Sequence, residues 1–140
     1  MSQLTCTLIF DRYRNNGPLG AMLSCCEVLD AEAILFLAVD MPLVTTSALE
    51  MLRDARRAGD EAVLAVHDGR VEPLVALYDR TALLREGLPL LERGEVAVHR
   101  VAQRLRARYV SLPAEQLANL NTGEDWKAIF GSRSAHDLDR

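Results

Sequence analysis

Short apolar runs alternate with amphipathic stretches along this chain. Residues 5–10 are apolar and β-branched, and residues 33–39 form an uninterrupted apolar run. Both are predicted to be strands, and the second is predicted to be a central strand covered on both faces. Between them, Pro18 suits the first turn of a helix, and apolar residues recur at helical spacing after it. The first part of the chain is therefore predicted to fold as strand, helix and strand.

The alternation continues and includes one hairpin. Strands are predicted over residues 61–66 and 71–78, and Asp68 and Gly69 between them favour a tight antiparallel turn. A short surface helix is predicted before residue 59, further helices over 81–94, 97–106 and about 124–130, and a last strand over 107–112. Together these elements predict an α/β sandwich around a mixed, mainly parallel sheet.

Composition narrows the class of protein. The chain has 140 residues, 49% hydrophobic and 26% charged, which fits one globular domain, and residues 132–140 are polar and expected to form a flexible tail. A formal net charge of −4 disfavours nucleic acid and anionic membranes as partners. No apolar run reaches the length of a membrane span. Three cysteines without a pairing pattern indicate a reducing, cytoplasmic location.

An aspartate and two glycines surround the start of the first predicted helix. Asp11 follows the first predicted strand, and Gly17 and Gly20 flank Pro18. Glycines at such a place let a ligand approach the backbone, and the positive end of the helix dipole favours a phosphate group. The alternative interpretation is an ordinary turn from loop to helix.

Asp40 directly follows the apolar run of residues 33–39. In α/β sheets, ligands bind beyond the carboxyl ends of the strands, and a carboxylate there is suited to hold Mg²⁺ together with phosphate oxygens. The alternative is that Asp40 only caps the next turn.

Further polar residues lie later in the chain. Glu72 interrupts an otherwise apolar strand and, with Pro73 beside it, favours an edge strand that faces water. Asn119 and Asn121 share one side of an extended segment, which suits recognition of a polar ligand, although asparagine is also frequent in turns. The three histidines show no metal-ligand spacing.

Five segments in this order resemble molybdenum cofactor guanylyltransferases: Asp11, GPLG at 17–20, VDMP at 39–42, EPLVALY at 72–78 and NLNTGEDW at 119–126. The resemblance extends from residue 8 to residue 130. It implies a nucleotidyltransferase-like, Rossmann-like three-layer fold and the Mg²⁺-dependent transfer of GMP from GTP to molybdopterin. The family begins with a glycine-rich loop and a lysine that this sequence lacks. The resemblance therefore implies an N-terminally truncated, partial domain over residues 1–131 with impaired activity.

The resemblance also implies roles for single residues. Asp40 is implied to be the catalytic residue and the Mg²⁺ ligand. The substrate molybdopterin is implied to contact Asn119 and Asn121. The residues implied to bind the nucleotide are Asp11, Gly17, Gly20 and Asp40.

Other functions and partners stay open. One alternative is a non-catalytic module that binds the molybdenum cofactor or serves as a scaffold through the surface around Asn119 and Asn121. Another is a nucleotidyltransferase for a different nucleotide or substrate, such as a cytidylyltransferase or a sugar-phosphate enzyme. Molybdoenzymes and other cofactor-biosynthesis proteins are expected partners. Unless residues 5–10 pair with residues 33–39, an apolar sheet edge stays open and favours self-association.

Overall fold

The computed structural model of the protein describes residues 6–119 and 123–130. The strands are β1 (Ala33–Leu37), β2 (Ala62–His67), β3 (Arg70–Asp79) and β4 (Ala107–Ser111). The helices are α1 (Gly17–Val28), α2 (Thr46–Ala55), α3 (Arg80–Glu92), α4 (Val98–Ala102) and α5 (Gly123–Phe130), with a short 3-10 helix over Ala114–Leu117. The predicted alternation of strands and helices is confirmed from α1 to α5.

The four described strands form one sheet in the order β1-β3-β2-β4. β3 lies antiparallel to both β1 and β2, and β2 is parallel to β4. It follows that β1, β2 and β4 point the same way and that β3 alone is reversed. The predicted mixed sheet is therefore confirmed, although only the β2–β4 pairing among the described strands is parallel. The edge at which β1, β2 and β4 end is called the carboxyl edge below.

Two apolar clusters cover the two faces of this sheet. The larger one joins residues of α1, α3 and α4 to one face, with Leu19, Leu23 and Leu83 fully buried. The smaller one joins α2 to the other face through Leu52 and Val63, both also fully buried. Helices on both faces give the three layers that the sequence predicts. None of the helices in the described residues is both long and apolar enough to cross a membrane.

The predicted first strand is wrong for the residues that the structure describes. Residues 6–10 form no strand, and the side chains of Leu8 and Phe10 are 77% and 82% exposed. An extended apolar segment becomes a strand only when a neighbour supplies hydrogen bonds, and in the described structure these residues pair with none. Among the described strands β1 is therefore at the edge of the sheet and not central as predicted. A continuous apolar run indicates that the two faces of a strand are buried, but it does not indicate that both of its edges are paired.

The prediction that Glu72 and Pro73 lie on an edge strand is also wrong, since β3 is central. The β2–β3 register shifts between Leu64, which is opposite Ala76, and Ala65, which is opposite Glu72. Pro73 falls within this irregular stretch, so its missing N–H removes no regular ladder bond. The hairpin itself is confirmed: Asp68 and Gly69 both have positive φ, as a tight two-residue turn requires.

Glu61 connects three elements at the sheet end opposite the carboxyl edge. Its carboxylate accepts hydrogen bonds from the Arg85 guanidinium at 2.7 Å and from the Arg106 backbone N–H at 2.9 Å. Its side chain is 11% exposed. The Arg106 backbone bond, and then the Arg85 side chain, lower the pKa of Glu61 below its usual value of 4.5, although burial opposes them. This contribution to stability is present above the ordinary pKa and is lost as the pH falls through the lowered one.

Glu61→Gln is expected to lower the free energy of unfolding by about 1–2 kcal/mol at neutral pH, because it leaves the Arg106 N–H and Arg85 with a weaker acceptor. It is also expected to reduce the loss of stability that wild type shows on acidification below about pH 5. Urea unfolding at several pH values measures both effects. Asp54→Asn, which removes an exposed ion pair with Arg53, is the control. Identical acid profiles for wild type and Glu61→Gln would contradict the assignment.

Candidate functional site

Asp40 lies just beyond the end of β1, at the carboxyl edge. A turn closed by the Met41 N–H and the Ala38 carbonyl, 3.2 Å apart, carries the chain out of the strand. Asp40 is half-buried, and its carboxylate makes no hydrogen bond or ion pair with the residues that the structure describes. The predicted position of Asp40 is confirmed. Its carboxylate is free to bind a ligand.

Glu72 lies near Asp40. In the β1–β3 register, Leu37 is opposite Val75, and the Ala38 N–H donates to the Leu74 carbonyl at 3.0 Å. Beyond this pairing, Asp40 comes close enough to Glu72 for its charge to act on that carboxyl group. Burial raises the pKa of Glu72, the negative charge of Asp40 adds to the rise, and a bond from the Leu74 N–H at 3.2 Å opposes it. Two carboxyl groups thus lie near each other where β1 and β3 diverge.

An apolar groove of about 480 Å³ adjoins Asp40 on one side. It is called the α1–β1 groove, and Asp40 is its single charged residue among those described. The groove is lined by Pro18, Ala21, Met22 and Cys25 from α1, by Phe36, Leu37, Ala38, Val39 and Asp40 from β1 and its extension, and by Leu74.

A polar cavity of about 340 Å³ lies on the Glu72 side. It is called the hairpin cavity, because most of its polar groups come from the β2–β3 hairpin. It is lined by His67, Arg70, Glu72, Ala114, Leu117 and Asn119. The carboxyl edge therefore carries an apolar groove and a polar cavity with the Asp40–Glu72 pair beside both.

The start of α1 lies at the same edge. Pro18 is in its first turn and lines the α1–β1 groove together with Asp40. Gly17 has φ +57°, a backbone conformation that favours glycine, and the N-cap residue Asn16 makes no side-chain capping bond. The structure thus places the start of α1 at the carboxyl edge, and the nucleotide-binding role of Gly17 stays a prediction.

Gly20 has a packing reason to be glycine. It is fully covered inside α1, and a Cβ atom there would lie 2.8 Å from the backbone oxygen of Tyr13 and 3.2 Å from the Cβ of Asn16. The loop before α1 folds back over this position. A nucleotide contact is not needed to explain this glycine, and its predicted binding role stays a prediction.

Asp11 is held by its own loop. Its Oδ1 accepts a hydrogen bond from the Tyr13 N–H at 2.7 Å and lies 3.3 Å from the Ser24 hydroxyl. Ser24 is almost two turns along α1 from Pro18, and Asp11 lines neither the groove nor the cavity. These local bonds hold Asp11 in its loop, and its predicted nucleotide-binding role stays a prediction.

The two predicted asparagines have different outcomes. Asn119 lines the hairpin cavity with Glu72, so the structure brings it to the same edge as Asp40. Asn121 lies outside the described residues, as does the tail at 132–140. Substrate binding by both asparagines stays a prediction.

His67 and Arg70 also line the hairpin cavity, and the sequence interpretation missed both. They are directly opposite each other across the turn at Asp68 and Gly69. The signal that could have found them was the hairpin itself, because a two-residue turn puts the flanking residues at the same sheet edge as the end of the preceding parallel strand.

A divalent cation would find carboxylate oxygens here but no complete cage. Among residues 6–119 and 123–130, no group of three or more His, Cys, Asp or Glu side chains is arranged to hold a metal. Mg²⁺ usually keeps several waters and takes one or two carboxylates plus phosphate oxygens. The free Asp40 carboxylate, with Glu72 nearby, fits this requirement.

The sequence of residues 1–110 matches the family model described as MobA-like NTP transferase domain. The chain belongs to this family. A probable molybdenum cofactor guanylyltransferase from Bacillus licheniformis is 32% identical over 124 residues, which is 84% of this chain and 62% of the relative. One from Chloroflexus aggregans is 30% identical over 90% of this chain and 65% of its own length.

The structure supports the same family. Molybdopterin-guanine dinucleotide biosynthesis protein A from Archaeoglobus fulgidus superimposes with a TM-score of 0.72 at 25% identity, over 86% of this chain and 64% of that one. This MobA-like chain thus spans less than two thirds of the length of these relatives. The nucleotidyltransferase-like fold predicted from the sequence is confirmed.

Gly20→Ala is expected to lower the free energy of unfolding by about 1–2 kcal/mol, because the clash with the Tyr13 backbone outweighs the gain in helix propensity. Denaturant unfolding measures the change. A variant as stable as wild type would show that the loop can move away and that packing does not fix this glycine.

Proposed function

We propose that this chain transfers GMP from GTP to molybdopterin, with Mg²⁺ bound at Asp40. The observation that carries the proposal is the Asp40 carboxylate, which lines the apolar groove at the carboxyl edge and has no hydrogen-bond or ion-pair partner among the described residues. The names of the relatives, molybdenum cofactor guanylyltransferases and a molybdopterin-guanine dinucleotide biosynthesis protein, support the substrates.

In this reaction an oxygen of the molybdopterin phosphate attacks the α-phosphorus of GTP. The new P–O bond forms as the bond to the β-phosphate breaks, and pyrophosphate leaves with the electron pair. Such transfers depend on positioning and on neutralising charge more than on covalent help from the protein. Mg²⁺, when bound, supplies positive charge to the phosphate oxygens.

The residues of this chain have separate tasks in the proposal. Asp40 orients the cation and the triphosphate at the carboxyl edge. Pro18, in the first turn of α1, lines the same groove as Asp40, so the positive end of α1 lies at this edge, where it favours an anionic group. Asn119 contacts the acceptor from the hairpin cavity, as Asn121 is expected to do from the neighbouring segment.

Asp40→Asn is expected to lower the rate of guanine dinucleotide formation by about 100-fold or more, since the neutral amide is a poor ligand for Mg²⁺. The assay combines GTP, Mg²⁺ and molybdopterin with the full chain and measures the dinucleotide and pyrophosphate. Asp54→Asn, an exposed carboxylate near the far end of α2, is the matched control and is expected to keep wild-type activity.

Other results of the same assay identify the alternatives. Binding of molybdopterin without any turnover would favour a carrier or scaffold module, and turnover with CTP but not GTP would favour a different nucleotidyltransferase. Calorimetric titration with GTP and Mg²⁺ tests the expectation of weak nucleotide binding, and ordinary micromolar affinity would contradict it. Full activity of Asp40→Asn would overturn the assignment of the metal ligand.

The outer edge of β1 is the second feature with a functional consequence. The Ala38 N–H and the Glu32 carbonyl both bond to β3 or its extension, at 3.0 and 2.9 Å. Backbone groups alternate in direction along a strand, so those of Ala33, Leu35 and Leu37 point away from β3. No described strand pairs with them. Unpaired donors and acceptors on an apolar edge favour strand addition.

We propose that a second copy of this chain covers this edge. β1 carries no charged side chain, so two copies can pair antiparallel around a two-fold axis without repulsion between the strands. Leu37 is 42% exposed and Val39 98% exposed, and both line the α1–β1 groove that such pairing would cover. Burial of these side chains adds to the backbone bonds.

Leu37→Pro is expected to convert the dimer to a monomer, because it removes an N–H that points outward and leaves the β1–β3 ladder intact. Size-exclusion chromatography with light scattering measures the mass, and circular dichroism checks the fold. Leu37→Ala keeps the N–H and is expected to weaken the dimer less. A wild-type protein that remains monomeric at tens of micromolar would contradict the proposal.

A further inference from the structure

Arg70 lines the hairpin cavity, where its positive charge acts on the neighbouring Glu72 carboxyl group and opposes the rise that burial causes in its pKa. It is the first residue of β3 and lies two residues before Glu72, on the same side of the strand. Its guanidinium makes no hydrogen bond or ion pair with any described residue. An arginine has five N–H donors, and those of Arg70 remain available to a ligand.

His67, the other basic residue of this cavity, is already engaged. Its Nδ1 lies 3.1 Å from the Leu112 carbonyl oxygen, to which it donates, and its Nε2 lies 3.2 Å from an Asp68 carboxylate oxygen. Both ring nitrogens therefore have partners within the protein. Among the described basic residues that line the cavity, Arg70 is the one whose side-chain N–H groups make no hydrogen bond to a described residue.

The location of Arg70 matters for the proposed reaction, on which this inference rests. Arg70 and Asp40 both act electrostatically on Glu72, so a phosphate bound by Arg70 in the hairpin cavity lies near the acidic groups of the carboxyl edge. The acceptor must bring a phosphate monoester close to the triphosphate of GTP, and the carboxylates of Asp40 and Glu72 add further negative charge there. Positive charge on the acceptor side is needed to lower this repulsion.

We infer that Arg70 binds the phosphate group of the acceptor, a phosphate monoester carried on a polar heterocycle, inside the hairpin cavity. Two guanidinium N–H groups can donate to two phosphate oxygens at once, which fixes both position and direction. The cavity volume of about 340 Å³ suits a small polar ligand, and the Asn119 amide offers a donor and an acceptor to its ring.

A binding experiment tests Arg70 without GTP or Mg²⁺. Molybdopterin is oxidised in air to its fluorescent form, and half of it is treated with phosphatase. Both samples are titrated with the full chain. Wild type is expected to bind the phosphorylated form more tightly, and Arg70→Ala to weaken that binding roughly 10- to 100-fold while leaving the dephosphorylated form unchanged. Arg70→Lys is expected to recover part of the affinity, because it restores the charge without the bidentate geometry.

Two controls separate a binding role from a structural one. Arg53→Ala removes a positive charge from α2 far from the cavity and is expected to bind both forms as wild type does. Denaturant unfolding checks that Arg70→Ala is as stable as wild type. The inference would be overturned if Arg70→Ala lost affinity for both pterin forms equally, or lost affinity for neither. Absence of binding by the wild type would also overturn it. The transfer assay with Asp40→Asn decides the proposed function independently of these results.

Discussion

The antiparallel pairing of β3 with β1 is the constraint on which the candidate site depends. β3 enters between β1 and β2 against the direction of its neighbours, so its first residues lie where β1 and β2 end. This reversal brings Glu72 near Asp40 and places Arg70 near Glu72. A parallel strand in the same position would put its amino end at the other side of the sheet and would leave the carboxyl edge without these groups.

The same pairing explains why the edge of β1 is open although the strand is well packed. β3 satisfies one side of β1, and helices and loops cover its two faces, so apolar side chains such as Ile34 are buried without a second neighbour. Hydrophobic burial and backbone pairing are independent requirements in a sheet. β1 is buried on its faces, but among the described strands only β3 pairs with its backbone.

The sequence predicts much of the fold because most helices, strands and turns depend on the residues within each element. Pro18, the Asp68–Gly69 turn and the apolar run that ends before Asp40 each act through local backbone preferences or burial, and the structure confirms all three. The order of the strands in the sheet depends on contacts between distant segments and cannot be predicted in this way. The edge prediction for Glu72 failed because a proline in a strand excludes a regular ladder bond but cannot distinguish an edge from an irregular stretch inside the sheet.

The sheet topology also decides which of the predicted site residues lie at the carboxyl edge. Asp40 and Asn119 are far apart in sequence but both follow strands that end at the carboxyl edge, so the topology brings them to one edge. Asp11 follows no described strand and is bound by its own loop and by Ser24. A residue type in a motif therefore indicates possible chemistry, whereas its strand and direction decide whether it can act with the others. Arg70 shows the converse, since no motif marked it and the hairpin register alone places it beside the acidic pair.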